Sequence, residues 1–130
     1  MVTTSSAVTR GIRVEVEARY VPERSSPETR RWFFAYRVRL VNDGNVTVQL
    51  LSRHWVITDA NGLEEEVRGP GVIGAQPVLE PAGEFEYTSF CPLGTPFGSM
   101  RGTYQMVTDK GEMFDATIAP YALAEPLSIN

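Results

Sequence analysis

The chain has 130 residues, of which 42% are hydrophobic and 22% are charged, and its formal net charge is -4. This length fits a single domain over residues 1–130, with residues 1–10 expected to form a flexible N-terminus. No apolar run approaches the ~20 residues that a membrane-spanning helix needs, so we expect no membrane segment. Non-specific nucleic-acid binders usually carry a basic excess, so the acidic net charge argues against nucleic acid as a partner.

The cysteine content and the N-terminus both bear on localisation. Cys91 is the single cysteine, so no disulfide can form within the chain. The first residues lack the basic and then apolar pattern of a secretory signal. A reducing, cytoplasmic location is therefore expected.

Seven strands are predicted from alternating apolar and polar residues and from the turns between them. The hairpin between the third and fourth strands has the strongest signal, because Asn61-Gly62 favours a type I′ turn. Residues 69–83 contain four glycines and three prolines, which predicts a long irregular loop. The predicted strands span 12–20, 32–41, 46–58, 63–68, 84–89, 103–108 and 113–119.

This pattern predicts an all-β fold, an antiparallel immunoglobulin-like or fibronectin type III-like β-sandwich. Trp55 lies on the third predicted strand, where such sandwiches often bury a tryptophan. Tyr104 precedes Met106 by two residues, which is the spacing of a tyrosine corner with methionine in place of the disulfide cysteine. Successive loops of this fold alternate between its two ends. The expected groups are residues 42–45, 69–83 and 109–112 at one end, and residues 21–31, 59–62 and 91–102 at the other.

Four segments carry a family resemblance: QLLSRHWVITDANG, EVRGPGVIGAQPVLEPAGEFEY, CPLGTP and GSMRGTYQM. In this order and spacing the chain resembles the bacterial ApaG family. Ala75 stands where that family often has an acidic residue, and Phe90 where glycine is frequent. The resemblance implies a fibronectin-type sandwich and a protein-interaction domain that recurs in a eukaryotic F-box protein and in a polymerase-interacting protein. It also implies an association with cobalt and magnesium homeostasis.

The segment from Gly69 through Gly71 to Gly74 matches the spacing G-x-G-x-x-G. In dinucleotide-binding folds these glycines lead from a strand into a helix whose N-terminus binds pyrophosphate. Here no helix is predicted to follow, and Pro70 removes one backbone donor. A nest of N–H groups with Arg68 beside it remains the alternative function: a binder of pyrophosphate, nucleotide or a divalent cation.

Other candidate sites are weighed against plain structural roles. His54 is expected on the outer face of its strand, more often a satisfied sheet residue than a ligand, and no second histidine accompanies it to bind a metal. Cys91 is more readily explained as a buried, inert thiol. No nucleophile or acid–base constellation can be assembled, so we expect no enzyme, with a phosphate-ester hydrolase as the remote alternative. No cofactor is expected.

The leading hypothesis is a non-catalytic domain that binds a protein through its irregular loops. Apolar side chains in those loops, such as Val72, Ile73 and Leu93, would either cap the sandwich or face a partner. A strand edge offers a second route, to a peptide or to another copy of the chain, so either a monomer or a homodimer is expected. The candidate surface comprises Arg53, His54, Arg68, Gly69, Gly71, Gly74, Phe97, Met100 and Arg101.

Overall fold

A computed structural model describes residues 2–126, and these residues form nine strands. The two sheets have the strand orders β1-β2-β3-β7 and β5-β4-β8-β9, and the short β6 pairs with β4. The strand pairings within residues 2–126 are antiparallel, so the predicted all-β antiparallel sandwich is confirmed. The strands are β1 (Val2–Thr9), β2 (Ile12–Tyr20), β3 (Trp32–Asn42), β4 (Val48–Asp59), β5 (Glu64–Pro70), β6 (Val78–Leu79), β7 (Glu84–Leu93), β8 (Phe97–Thr108) and β9 (Met113–Ala124).

The core lies between the two sheets and follows the alternation of the sequence. On β2, Ile12, Val14 and Val16 are buried, while the intervening charged residues lie on the outer face. Tyrosines and a tryptophan fill the middle of the core, with Trp55 packed 5.3 Å from Tyr36 between ring centroids. The predicted burial of Trp55 is confirmed. Residues 2–126 include no helix with the length and hydrophobicity of a membrane span.

The N-terminal segment corrects a prediction. Residues 2–9 were expected to be flexible, but they form β1 and pair with β2 along its whole length. The two strands are joined at Arg10 and Gly11, whose φ angles of 49° and 83° suit a type I′ hairpin. The sequence hides this hairpin, because β1 is built from small and polar residues and Arg-Gly is not a common type I′ pair.

The second correction concerns residues 91–102, which were predicted as irregular. Most of this segment belongs to β7 and β8. Its glycines suggested a loop, yet two of them allow close packing of strands. A Cβ on Gly98 would lie 2.4 Å from the Thr58 carbonyl oxygen, and one on Gly102 would lie 2.0 Å from that of His54. Residues 91–93 thus lengthen β7 and residues 97–102 lengthen β8, while β1 and the short β6 are the two strands that the sequence did not predict.

The tyrosine corner predicted at Tyr104 does not form among residues 2–126. Its side chain is fully buried and its hydroxyl group bonds the hydroxyl group of Tyr87 on the facing sheet. The grouping of loops at the two ends agrees with the prediction. At one end the Asn42 N–H donates to the Gly83 carbonyl, and at the other the Ala60 N–H donates to the Thr95 hydroxyl.

Candidate functional site

Strand β4 brings several of the predicted site residues together. Arg53 pairs with Gly69 on β5, and His54 pairs with Arg68. The register of β4 against β8 shifts between Leu50 and Ser52. A shallow depression of about 580 Å³ on the second sheet is bordered by Arg53, His54, Arg68 and Gly69. Its other lining residues are Ser52, Pro70, Thr103, Gln105 and Asp115.

Two side chains of the depression, His54 and Arg68, contact the carboxylate of Glu66, which lies outside its lining. His54 Nε2 lies 2.6 Å from Glu66 Oε1, and Arg68 Nη2 lies 3.4 Å from the same oxygen. The hydrogen bond from His54 is the main cause that lowers the pKa of Glu66. Beside them, the Ser52 hydroxyl donates to Gln105 Oε1 at 2.8 Å. The depression thus offers paired charges and hydrogen-bonding groups for recognition.

Arg53 also borders the depression, and its guanidinium group has a structural role. Its Nη1 donates to the carbonyl oxygens of Pro70 and Gly71 at 3.0 and 2.9 Å. Gly69 makes room for this guanidinium group, since a Cβ there would lie 3.0 Å from its nitrogens. Arg53 therefore fixes the end of β5 to the loop that follows it.

The glycine-rich loop is a tight turn. The Val72 N–H donates to the Ala75 carbonyl and the Ala75 N–H returns the bond to Val72, both at 2.9 Å. The turn places Ile73 and Gly74 at φ angles of 42° and 80°, as a type I′ turn requires. A Cβ on Gly71 would lie 2.3 Å from the Ala75 carbonyl oxygen.

These contacts bear on the phosphate-binding alternative. The N–H groups of Gly71 and Val72 are both engaged, with the carbonyls of Leu51 and Ala75. The strand β6 follows the loop where a dinucleotide fingerprint would have a helix. The glycines thus meet the dihedral and steric demands of the turn, and the geometry does not favour a phosphate cradle.

The remaining predicted residues lie on β8 and are not part of the depression. Phe97 is 45% exposed, and Arg101 is paired with Glu64 at 3.2 Å. Met100 is 1% exposed and belongs to the core, so its prediction as a surface residue is wrong. Its place on the inner face of β8 follows from strand alternation, which the loop assignment of residues 91–102 concealed.

The sequence did not predict the cavity between β5 and β7. It has a volume of about 260 Å³, and its walls combine apolar and aromatic side chains with the polar residues Arg53, Glu65 and Ser89. At its rim Phe90 is 46% exposed and packs 5.5 Å from Phe33, while the Arg24 guanidinium lies over both rings. We call this region, with the outer edges of β5 and β7, the open side. The cavity is lined by Tyr36, Arg53, Trp55, Ile57, Glu65, Val67, Ser89, Phe90, Cys91, Pro92 and Met100.

Comparisons with known proteins agree with the resemblance seen in the sequence. Residues 22–108 match the family model of the ApaG domain. The chain belongs to the ApaG family. Protein ApaG of Anaeromyxobacter dehalogenans (strain 2CP-C) is 60% identical to it over 126 residues, which are 97% of this chain and 99% of the relative. Protein ApaG of Beijerinckia indica is 52% identical over 123 residues, 95% of each chain. A crystal structure of a Bordetella pertussis protein described as ApaA matches with a TM-score of 0.86 and 51% identity, covering 88% of this chain and 94% of that one.

Two observations concern the reactive and metal-binding side chains of this ApaG domain. Burial raises the pKa of the Cys91 thiol to about 12, which leaves little thiolate for nucleophilic attack at neutral pH. Among residues 2–126 no group of three His, Cys, Asp or Glu side chains is placed to hold a metal ion. Charged side chains such as Arg68 are accessible, together with exposed apolar side chains and the backbone of two strand edges.

Proposed function

We propose that this ApaG domain is a protein-interaction domain without a catalytic role, and that its partner binds along the open side. The observation that carries the proposal is the exposed aromatic rim beside a cavity. Phe90, Phe33 and Arg24 form a stack at the surface, and aromatic and arginine side chains are enriched in protein interfaces.

The strand edges support the same surface. In the strand orders of the two sheets, β5 and β7 are each terminal, and no other strand of residues 2–126 pairs with their outer edges. Unpaired edges present N–H and C=O groups that a partner strand can bond. Exposed apolar rings beside such an edge would add burial to these backbone contacts.

The proposal places the domain in the cytoplasm, in line with its lone buried cysteine. Under it, any link to cobalt or magnesium homeostasis acts through the partner. Pyrophosphate, nucleotide or a divalent cation is the competing class of ligand. A thermal unfolding series with pyrophosphate, magnesium and cobalt separates the two classes, since a ligand at 100 times its dissociation constant adds about 2.7 kcal/mol. A saturable shift that is lost in Gly71→Val at preserved folding would favour the competing class.

Site-specific photo-crosslinking in cells tests the proposed surface directly. A benzophenone amino acid replaces Phe90 on the open side or, as the control, Val8, which is 61% exposed on β1. We expect a discrete crosslinked protein with the probe at position 90 that is absent with the probe at position 8. Crosslinking from position 8 alone, or the same products from both positions, would refute the open side as the binding surface.

A further inference from the structure

Alternate residues of β5 direct their backbone N–H and C=O groups away from β4. The Asp59 N–H donates to the Leu63 carbonyl, and the Gly71 N–H donates to the Leu51 carbonyl. Hydrogen-bonded pairs alternate along an antiparallel ladder, so Glu65, Val67 and Gly69 exchange bonds with β4. The N–H and C=O groups of Glu64, Glu66 and Arg68 therefore point away from the sheet.

This edge ends at Pro70. Proline has no N–H group, and the Pro70 carbonyl accepts a hydrogen bond from Arg53 at 3.0 Å. The unpaired edge is thus limited to Glu64–Arg68. That length suits a short extended peptide.

The inner face of the same edge adjoins the cavity. Glu65 and Val67 both line it, and Glu65 forms no ion pair with any residue between 2 and 126. Trp55, in the cavity wall, is 2% exposed, and its indole Nε1 has no hydrogen-bond partner within this part of the chain. An exposed carboxylate without an ion pair and an unsatisfied buried donor thus line one cavity, which Arg53 also lines, next to an unpaired strand edge.

We propose that an extended basic segment of the partner adds to β5 as an antiparallel strand. It places a lysine or arginine opposite Glu65 and, two positions away, an apolar side chain opposite Val67 in the cavity. Directly opposed residues of paired strands share a face, so both side chains point inward. This inference rests on the proposed function and names the chemistry of the partner.

Charge distinguishes a basic strand added to β5 from a strand added to β7 and from a second copy of the chain. On β7, Glu84 and Glu86 are already paired with Arg39 and Arg37 at 2.7 and 3.2 Å. A second copy of the chain would present either β5 or β7, and both edges carry glutamates. The unpaired carboxylate of Glu65 is complementary to a basic residue from a different protein.

Synthetic peptides test whether two alternate side chains of the added strand point inward together. The probe is a ten-residue peptide with the core Thr-Leu-Thr-Lys-Thr, in which leucine and lysine share one face and the antiparallel direction sets leucine opposite Val67 and lysine opposite Glu65. Two-dimensional NMR should show saturable shifts of the amides of Glu64, Glu66 and Arg68 and of the Trp55 indole N–H. A permuted peptide with lysine and leucine adjacent should bind at least about fivefold more weakly, because it cannot place both inward.

N-methylation distinguishes strand addition from side-chain docking. Methylating the threonine nitrogen between lysine and leucine removes the N–H that faces Glu66, so binding should be lost. Methylating the leucine nitrogen, which faces away from β5, should leave affinity within about twofold. Equal effects of the two modifications would overturn strand addition.

Variants of the protein test the charge and the edge. Glu65→Lys should weaken binding of the lysine peptide at least about fivefold and strengthen that of its glutamate analogue. The matched control is Glu86→Lys on β7, which should change neither. Glu66→Pro removes an outward N–H without disturbing the ladder to β4, so it should abolish binding, while Glu66→Ala should retain it.

The outcomes separate this inference from the proposed function. No saturable shift with the lysine peptide, or shifts confined to residues outside β5 and the cavity, would overturn the basic-strand inference. If crosslinking from position 90 persists in that case, the interaction domain stands with a partner of other chemistry. If crosslinking from position 90 fails while the peptide binds with the stated parity, the peptide site stands and Phe90 lies outside the contact.

Discussion

The two lateral sides of the sandwich differ in whether their strand edges are covered by the other sheet. On the side where β1 faces β9, the sheets are joined by hydrogen bonds from the Thr3 hydroxyl to the Ala122 carbonyl and from the Thr117 N–H to the Thr9 hydroxyl. On the open side, the edges of β5 and β7 are separated by a cavity of about 260 Å³. One pair of sheet edges is therefore covered by the fold itself and the other is available.

Side-chain size accounts for this difference. The half-buried residues of β1 are small, among them Ser5 and Ala7, so the first sheet can approach β9 closely. The open side has Tyr36 and Trp55 between the sheets, and rings of this size hold the strands apart. An edge that approaches its neighbour is protected from association, whereas an edge held open can recruit a strand.

The largest effect is expected from the chemistry of Cys91, which lines the open side. With its pKa raised from 9.0 to about 12, the thiolate fraction at pH 8 falls by on the order of 10³. Alkylation by iodoacetamide in the native protein should therefore be slower by about that factor than in urea. Mass spectrometry over time measures both rates. A native rate within tenfold of the unfolded one would show that the open side exposes its core frequently.

Gly102→Ala should cause the next largest change, because it separates the strands that carry the cavity. The new Cβ would lie 2.0 Å from the His54 carbonyl oxygen, so β8 has to move away from β4. We expect a loss of about 3 kcal/mol or more in the free energy of unfolding, measured by urea denaturation. Gly94→Ala is the control, since its Cβ would meet no atom within 4 Å, and it should change stability by less than about 0.5 kcal/mol. Similar losses in both variants would contradict the strand-spacing argument.

The closed side offers a smaller effect of opposite sign. Ser5 Oγ is buried without a hydrogen-bond partner among residues 2–126. Removing an unsatisfied hydroxyl group relieves its desolvation cost, so Ser5→Ala should stabilise the protein by up to about 1 kcal/mol. Thr9→Val is the matched change that removes an engaged hydroxyl group, and it should destabilise by about 1 kcal/mol. Thermal unfolding of both variants checks the signs, and destabilisation by Ser5→Ala would mean that its hydroxyl group is satisfied.

The sequence predicted those elements whose signal is local. The Asn61-Gly62 signature correctly placed a hairpin but not its type I′ turn, because of these two residues only Gly62 has a positive φ, 83°. The Gly62 N–H donates to the Asp59 carbonyl and the Asp59 N–H donates to the Leu63 carbonyl, so the loop has three residues. Strand alternation identified the buried Trp55. The hairpin of β1 and β2 was missed because its turn at Arg10 lacks such a signature. Long-range proximity was beyond sequence patterns altogether.

The candidate site likewise has residues that the sequence could identify and a cavity that it could not. Cross-strand pairing brings His54 next to Arg68, and both were named as candidates, His54 as the single histidine and Arg68 as the charge beside the glycine-rich loop. The cavity of the open side combines Tyr36, Val67 and Phe90 from three strands. No spacing in the chain links these residues, since their proximity depends on how the two sheets stack.

The smallest effect concerns the pair of Glu66 and His54 beside the β5 edge. The hydrogen bond from His54 lowers the pKa of Glu66 from its ordinary 4.5, so the pair stabilises the folded state above that pH and the contribution is lost as the pH falls through the lowered pKa. In His54→Gln the NMR titration midpoint of Glu66 should rise towards 4.5. Arg101→Gln is the control. Arg101 lowers the pKa of Glu66 less than His54 and Arg68 do, so this variant should shift the midpoint less. An unchanged midpoint in His54→Gln would show that the pair does not form in solution, and that Glu66 is as available to a basic strand as Glu65.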